Sequence, residues 1–194
     1  MINVTDRGKN NRVLVHDSYR IGSFDLVIDG DDNEIFFDHP LHIAPGDSVN
    51  ISVFGSGNRI HVGAIYSKSL IIHCVDGFQC KIGDLSSFHE LYISTNEPSS
   101  VTIGKDCLFA MGIKIYPTDF HKIIHRGERI NTPRPITIGD KVWLCEGVMV
   151  LSGAEIGNGC VIGAGAVVSN RVPRRSVAVG NPAYVIRSDI DWEP

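Results

Sequence analysis

The chain has 194 residues, 43% of them hydrophobic, enough for one globular domain with little left for a second. Eighteen basic side chains against 22 acidic ones leave a net charge of −4, which argues against a nucleic-acid or anionic-membrane binder. Five cysteines, an odd number with no CxxC pair, argue against a disulfide framework and a structural zinc; they read as buried free thiols in a reducing compartment.

The N-terminal stretch "MINVTDRGKNNRV" lacks the apolar core of a signal peptide, and no apolar run reaches the roughly 18 residues of a membrane span. The expectation is a soluble, cytoplasmic protein. Four hexapeptides then recur in the first hundred residues. "GKNNRV" (8–13), "GDDNEI" (30–35) and "GSGNRI" (55–60) share G-x-x-N followed by a charged residue and an aliphatic. "GFQCKI" (77–82) keeps the Gly and the aliphatic with Cys in place of Asn. The spacings are 22, 25 and 22 residues. They fit a coil of about 18 residues plus a corner loop. Gly and Asn suit corners because both tolerate left-handed backbone angles. An unrelated all-β domain with Gly-Asn hairpins is the alternative.

A stricter beat follows. Ile103, Phe109 and Ile115 stand six apart, with Cys107 and Ile113 four residues after the first two. The beat stops over "HKIIHRGERINTPRPIT" (121–137), where Pro133 and Pro135 deny the chain a strand ladder. It restarts at Ile138 and continues through Leu144, Val150, Ile156, Ile162 and Val168. Four residues after each come Val142, Val148, Ala154, Cys160, Ala166 and Val172. A period of six is neither strand nor helix. It predicts an all-β solenoid, a parallel β-helix in which each hexad forms one face of a triangular coil. One coil cannot bury its own interior, but coils stacked at about 4.8 Å bury a continuous apolar column. The whole chain, 1–194, reads as a single β-helix domain: loose coils over 1–100, regular hexapeptide coils over 101–173 and a cap over 174–194. The segment around 121–137 reads as a loop extruded from the wall, the place where a rigid scaffold commonly carries function.

"TDFH", "GERIN", "ITIGDKVWL", "GAGAVVSNRVP" and "VGNPAYVIR" together resemble the hexapeptide-repeat O-acetyltransferases, including the capsular and surface-polysaccharide enzymes and the maltose and galactoside acetyltransferases. The likeness is clear over about 100–187. It implies a left-handed β-helix, a homotrimer with active sites between subunits, acetyl-CoA as acyl donor, a carbohydrate acceptor and no metal.

His121 fits the general base. An acetyl thioester is already activated, so the enzyme need only hold a sugar hydroxyl near the carbonyl and take its proton, work for which imidazole is suited. Asp119, two residues earlier, points the same way on an extended backbone and serves to orient the imidazole or bind acceptor. Trp143, at an outward hexad position, is a large aromatic that something must cover. The resemblance places it in the active-site groove. Asn131 and Arg129 match family positions, with Asn131 expected at the substrate. The resemblance carries CoA contacts to Glu146, Ala164, Ser169, Asn170, Tyr184 and Arg187. Asn170 and Tyr184 stand where basic residues are common; Arg171, Arg174 and Arg175 are placed to compensate. "WLCEG" puts Cys145 where Gly is typical, and nothing in the sequence activates it as a nucleophile.

Two other chemistries stay open on the sequence. One is N-acetylation of an amino sugar nucleotide. The other is a metal-dependent lyase of the gamma-carbonic-anhydrase type, with His121, His125 and His89 as the ligands to gather. A non-catalytic β-helix used for assembly is the third class.

Overall fold

Each hexad becomes a short strand and the bend after it. The structure is a computed structural model that describes residues 2–16, 22–37, 39 and 41–194. All six hexad starts from Ile138 to Val168 are buried, and so are the six apolar residues four positions on. The bend falls one residue before that second set: Lys141, Gly147, Gly153, Gly159 and Gly165 all have positive φ, between 52° and 81°. The bend tips the next side chain inward, which is why two positions per hexad fill the core.

Among the described residues, strands stack on the coil below into three sheets of eight strands each. The first sheet runs from Ile2–Asp6 through Ser69–Cys74, Leu91–Ser94 and Ile113–Tyr116 to Val167–Val168. The second runs from Arg12–Val15 to Arg171–Val172, and the third from Leu41–His42 to Tyr184–Ser188. Pairing is parallel throughout the walls. The exception is Tyr184–Ser188, which turns back antiparallel on Ser176–Val179 and closes that end of the third sheet. Buried phenylalanines meet inside the column: Phe24 meets Phe37 edge-on at 5.1 Å, and Phe88 meets Phe109 at 5.1 Å. All five cysteines are free; four are buried. Burial pushes the Cys74 thiol up to about 12.

The G-x-x-N repeat has a structural cause. Asn11, Asn33 and Asn58 stack along the edge between the first and second sheets. Asn33 Nδ2 donates to Asn11 Oδ1 at 3.1 Å, and Asn58 Nδ2 donates to Asn33 Oδ1 at 3.0 Å. The same oxygens accept the backbone N–H of the coil above, at 2.9 Å each. Gly8, Gly30 and Gly55 stack beside them so tightly that a Cβ on any one would collide with the coil above. The left-handed backbone expected of the asparagines belongs instead to the residue before each: Asn10, Asp32 and Gly57.

The fourth repeat is displaced. Cys80 pairs with Ile60, not with Asn58, so this coil is two residues shorter than its 22-residue spacing implies. Phe78 takes the ladder position, and its N–H donates to Asn58 Oδ1 at 2.8 Å. A buried ring replaces the amide, and the ladder ends there.

The extruded segment leaves the wall after Tyr116 and rejoins at Ile136, from the same edge that carries the asparagine ladder. It is not featureless. Ile124–His125 and Glu128–Arg129 pair antiparallel around Arg126 and Gly127, both at positive φ (50° and 83°). Two consecutive left-handed residues make the tight turn that matches strand twist. The prolines lie beyond this hairpin, so they do not oppose it. Among the described residues, no helix is long and apolar enough to cross a membrane.

Candidate active site

The root of the extruded segment is tied to the coil below it. The Thr118 hydroxyl donates to Asn96 Oδ1 at 3.0 Å, and Asn96 Nδ2 donates to the carbonyl of Phe120 at 2.6 Å. Further out, Arg129 donates twice to the Glu97 carboxylate, both bonds at 2.6 Å. This is the bidentate fork that guanidinium and carboxylate form best. The Arg129 guanidinium holds the Glu97 carboxyl below the ordinary carboxylate range. Arg129 also donates to the carbonyl of Asn131 at 3.1 Å.

Asn131 closes the segment on itself. Its Nδ2 donates to Asp119 Oδ2 at 3.0 Å and to the carbonyl of His121 at 2.7 Å, while its Oδ1 accepts from Ile123 N–H at 2.7 Å. One amide thus holds Asp119, His121 and Ile123. The Asp119 carboxylate is engaged by Asn131, and no described residue hydrogen-bonds the His121 imidazole.

The backbone between Asp119 and His121 is not extended, contrary to the reading that sets the two side chains parallel. His121 N–H donates to the Asp119 carbonyl at 2.6 Å, and Phe120 between them has φ +61°. That is a γ-turn of the left-handed kind, rare and strained. A bulky residue at positive φ is an outlier that the surroundings must enforce. Here Asn96 and Asn131 grip the turn from both sides.

Beside it opens a recess of about 380 Å³, lined by Asp119, Ile130, Asn131, Thr132, Arg134, Leu151, Ser152 and Ser169. Asp119, Asn131 and Ser169 are therefore brought together. His121 projects from the exposed part of the segment.

Trp143 lies elsewhere, on the third sheet, where a groove of about 340 Å³ joins it to Ser87, His89, Met111 and Glu146. The C-terminal tail returns onto it. Trp192 sits 5.8 Å from the Trp143 ring and donates its indole N–H to the Lys141 carbonyl at 3.0 Å. Lys141 pairs with Asp191 at 2.8 Å. Within one chain, Trp143 and His121 occupy different sides of the triangle.

The residues that the resemblance assigns to CoA are distributed. Glu146 and Ala164 stack on the edge between the third and first sheets, where Gly165 N–H donates to the Glu146 carbonyl at 2.8 Å. Asn170 lies on the edge of the extruded segment and donates to the Ala183 carbonyl at 3.3 Å. Tyr184 and Arg187 lie on the antiparallel strand. Arg171 and Arg174 border a groove of about 640 Å³ with Glu155 and Asn158. Among the described residues, no group of three or more His, Cys, Asp or Glu side chains gathers as metal ligands would; His89 is on the third sheet, away from His121 and His125. Burial raises the Cys145 thiol, the opposite of what a nucleophile needs.

Residues 135–170 match the bacterial transferase hexapeptide family of six repeats. The fold is the left-handed β-helix built on hexapeptide repeats. It is 33% identical to the galactoside O-acetyltransferase of Escherichia coli K12 over 134 residues, which are 69% of this chain and 56% of that protein. Among solved structures, the polySia-specific acetyltransferase NeuO superposes on the whole chain with a TM-score of 0.88, at 25% identity and over 82% of its own length. The polysialic acid O-acetyltransferase OatWY also superposes on the whole chain, with a TM-score of 0.76 at 24% identity and over 87% of its length, a likeness of fold. The chain spans 35% to 59% of the length of the curated relatives it matches.

Sequence reasoning reached Asp119, His121 and Asn131 but not what organises them. Glu97 and Asn96 belong to the preceding coil and carry no motif. Phe120 at positive φ contradicts its own residue type, so no local signal announces it.

Proposed function

We propose that this hexapeptide-repeat protein is an O-acetyltransferase that moves an acetyl group from acetyl-CoA to a sugar hydroxyl, in a surface or capsular polysaccharide or its precursor. The observation that carries the reading is the gripped γ-turn that presents His121 beside the Asp119–Asn131 recess. His121 takes the proton of the acceptor hydroxyl as its oxygen attacks the thioester carbonyl. The C–S bond then breaks, and CoA leaves as a thiol by recovering a proton. A positioned base of this kind is worth about 10²–10⁴-fold.

Trp143 faces away from His121 in one chain, which supports a homotrimer whose sites combine the extruded segment of one subunit with the third sheet of the next. Glu146, Ala164, Ser169, Asn170, Tyr184 and Arg187 line the donor in this reading. Arg171 and Arg174, on their open groove, supply charge for its phosphates. The chemistry asks for no metal, and the protein works in the cytoplasm, where acetyl-CoA is made.

The test is thiol release from acetyl-CoA against a panel of sugars and glycans, wild type beside His121→Ala. Acceptor-dependent release that drops about 10²-fold or more in the variant supports the reading. Undiminished release in the variant removes His121 from the mechanism. Transfer only to amino sugars moves the reading to N-acetylation.

A further inference from the structure

Four rings follow one another along the outside of the first sheet, three from successive coils and the fourth from the turn that follows the last of them. His73 meets Tyr92 at 5.5 Å, Tyr92 meets Tyr116 at 6.1 Å, and Tyr116 meets Phe120 at 5.8 Å, all edge to face. His73, Tyr92 and Tyr116 come from three successive strands, Ser69–Cys74, Leu91–Ser94 and Ile113–Tyr116. Phe120 is the centre of the γ-turn. His73 and Phe120 are exposed; the tyrosines are half-buried.

The fold does not require these rings. In the same register as Tyr92, the coils on either side carry Ile71 and Lys114, and in that of His73 they carry Ser52 and Ser94. Beyond Lys114 the register continues with Met149 and Val167. The aromatic run is confined to the coils leading up to the extruded segment. Its end is continuous with the candidate site. Phe120 precedes His121 in the chain, and Tyr116 pairs in register with Leu151, a wall of the Asp119–Asn131 recess.

A contiguous row of exposed and half-buried rings, unlike apolar side chains scattered singly, is the kind of surface a ligand covers. Rings with polar tips suit a ligand with both apolar faces and hydroxyls. Two coil steps of about 4.8 Å take the row about 10 Å from His73 to Tyr116, and Phe120 lies 5.8 Å beyond Tyr116, so the row is longer than one sugar. Lys114 stands beside Tyr92 as a cation on the same face.

We propose that His73, Tyr92, Tyr116 and Phe120 form an acceptor track that holds several consecutive sugars of a polymeric glycan and feeds the chain's leading end to His121. This rests on the reading of His121 as base of a sugar O-acetylation. It adds that the acceptor is recognised as a polymer, over sugars that do not react.

The test compares wild type with His73→Ala, Tyr92→Ala and the double variant, all on the two coils before the one that leads into the extruded segment. Acceptors are polysialic acid, dextran and hyaluronan, each beside its own short oligosaccharides. The expected result is a KM for the polymer raised about tenfold in the double variant, the scale of two lost aromatic contacts, with kcat held and the short-acceptor KM much less changed. An equal rise for polymer and short acceptor, or no rise at all, overturns the track. So does a change of oligomeric state in light scattering, which would make the row a surface between copies of the chain. Retardation of the protein in gels containing each polymer separates the two claims. If the wild type transfers no acetyl but is retarded, and the double variant is not, the track stands and the acetylation reading falls. If none of the three polymers retards the wild type or serves it as acceptor, the track falls.

Discussion

The N–H of His121 donates to the carbonyl of Asp119 at 2.6 Å, across a single intervening residue, Phe120, at φ +61°. Backbone strain of this sort costs about 1–3 kcal/mol and persists only where neighbours impose it. Phe120→Gly removes the strain and also the ring contact with Tyr116, worth about 0.5–1.5 kcal/mol, and it adds backbone entropy to the unfolded chain. These terms nearly cancel, so thermal stability is expected to change by less than about 1 kcal/mol. Turnover is expected to fall about tenfold or more, because misplacing a catalytic group by small distances is costly. A Phe120→Gly protein with full turnover would show that the turn does not position His121.

Glu97 and Arg129 pin the hairpin of the extruded segment to the wall. Glu97→Ala is expected to free it, exposing Lys122, Arg126 and Arg129 to trypsin within the folded protein and lowering turnover, while the β-helix melts at nearly its original temperature. A cleavage pattern identical to wild type would mean that Asn96 and Asn131 suffice. The pH dependence has a definite sign. Arg129 lowers the Glu97 pKa below its ordinary value of 4.5, so the anchoring is full above that value. It is lost as pH falls through the lowered folded value. Cleavage of wild type by an acid-active protease at falling pH should show the segment loosening in that window; Glu97→Gln should be loose at every pH.

The β-helix was legible wherever one rule set the residue. Ile138 to Val168 must be apolar because each faces the axis, and nothing competes with that demand. The asparagine repeat was visible as a pattern, but its purpose was not, because a side-chain ladder is a relation among Asn11, Asn33 and Asn58 across 22 and 25 residues. Phe78 hid the end of the ladder, since burial there selects a ring and the Gly before it mimics the 22-residue spacing of the earlier repeats. At the candidate site, the "TDFH" and "GERIN" motifs single out His121 and Asn131 as candidates. The Asn96 and Glu97 anchors could not, because a lone Asn or Glu in a polar corner looks like any solvated side chain.

Asn33 is fully buried and sits mid-ladder. Its Oδ1 accepts from both nitrogens of Asn58, and its Nδ2 donates to Asn11 and to the Gly55 carbonyl at 3.1 Å. Asn33→Ala leaves the buried Asn58 N–H without an acceptor and its amide with only the long 3.4 Å bond to the Gly55 carbonyl. The expected loss is about 2–3 kcal/mol, since each unsatisfied buried group costs about 1–3. It should be read from the urea midpoint at unchanged slope. A loss below about 0.5 kcal/mol would show that water enters the edge and replaces the ladder.

Ser67 poses the opposite case. It lies in a strand of the third sheet paired with Ser86–Phe88, 4% exposed, and among the described residues its Oγ is a buried oxygen without a hydrogen-bond partner. Burying a hydroxyl unpaired is a standing cost. Ser67→Ala removes it with almost no change of volume. The substitution is expected to stabilise the protein by about 1 kcal/mol, raising the melting temperature by about 2–4 °C for a chain of this length. Ser67→Val is the control on space. If alanine stabilises and valine does not, the gain comes from the lost hydroxyl and the column is already full at this coil. If alanine destabilises, the hydroxyl has a bound water or a bond that forms in solution, and the serine is satisfied after all.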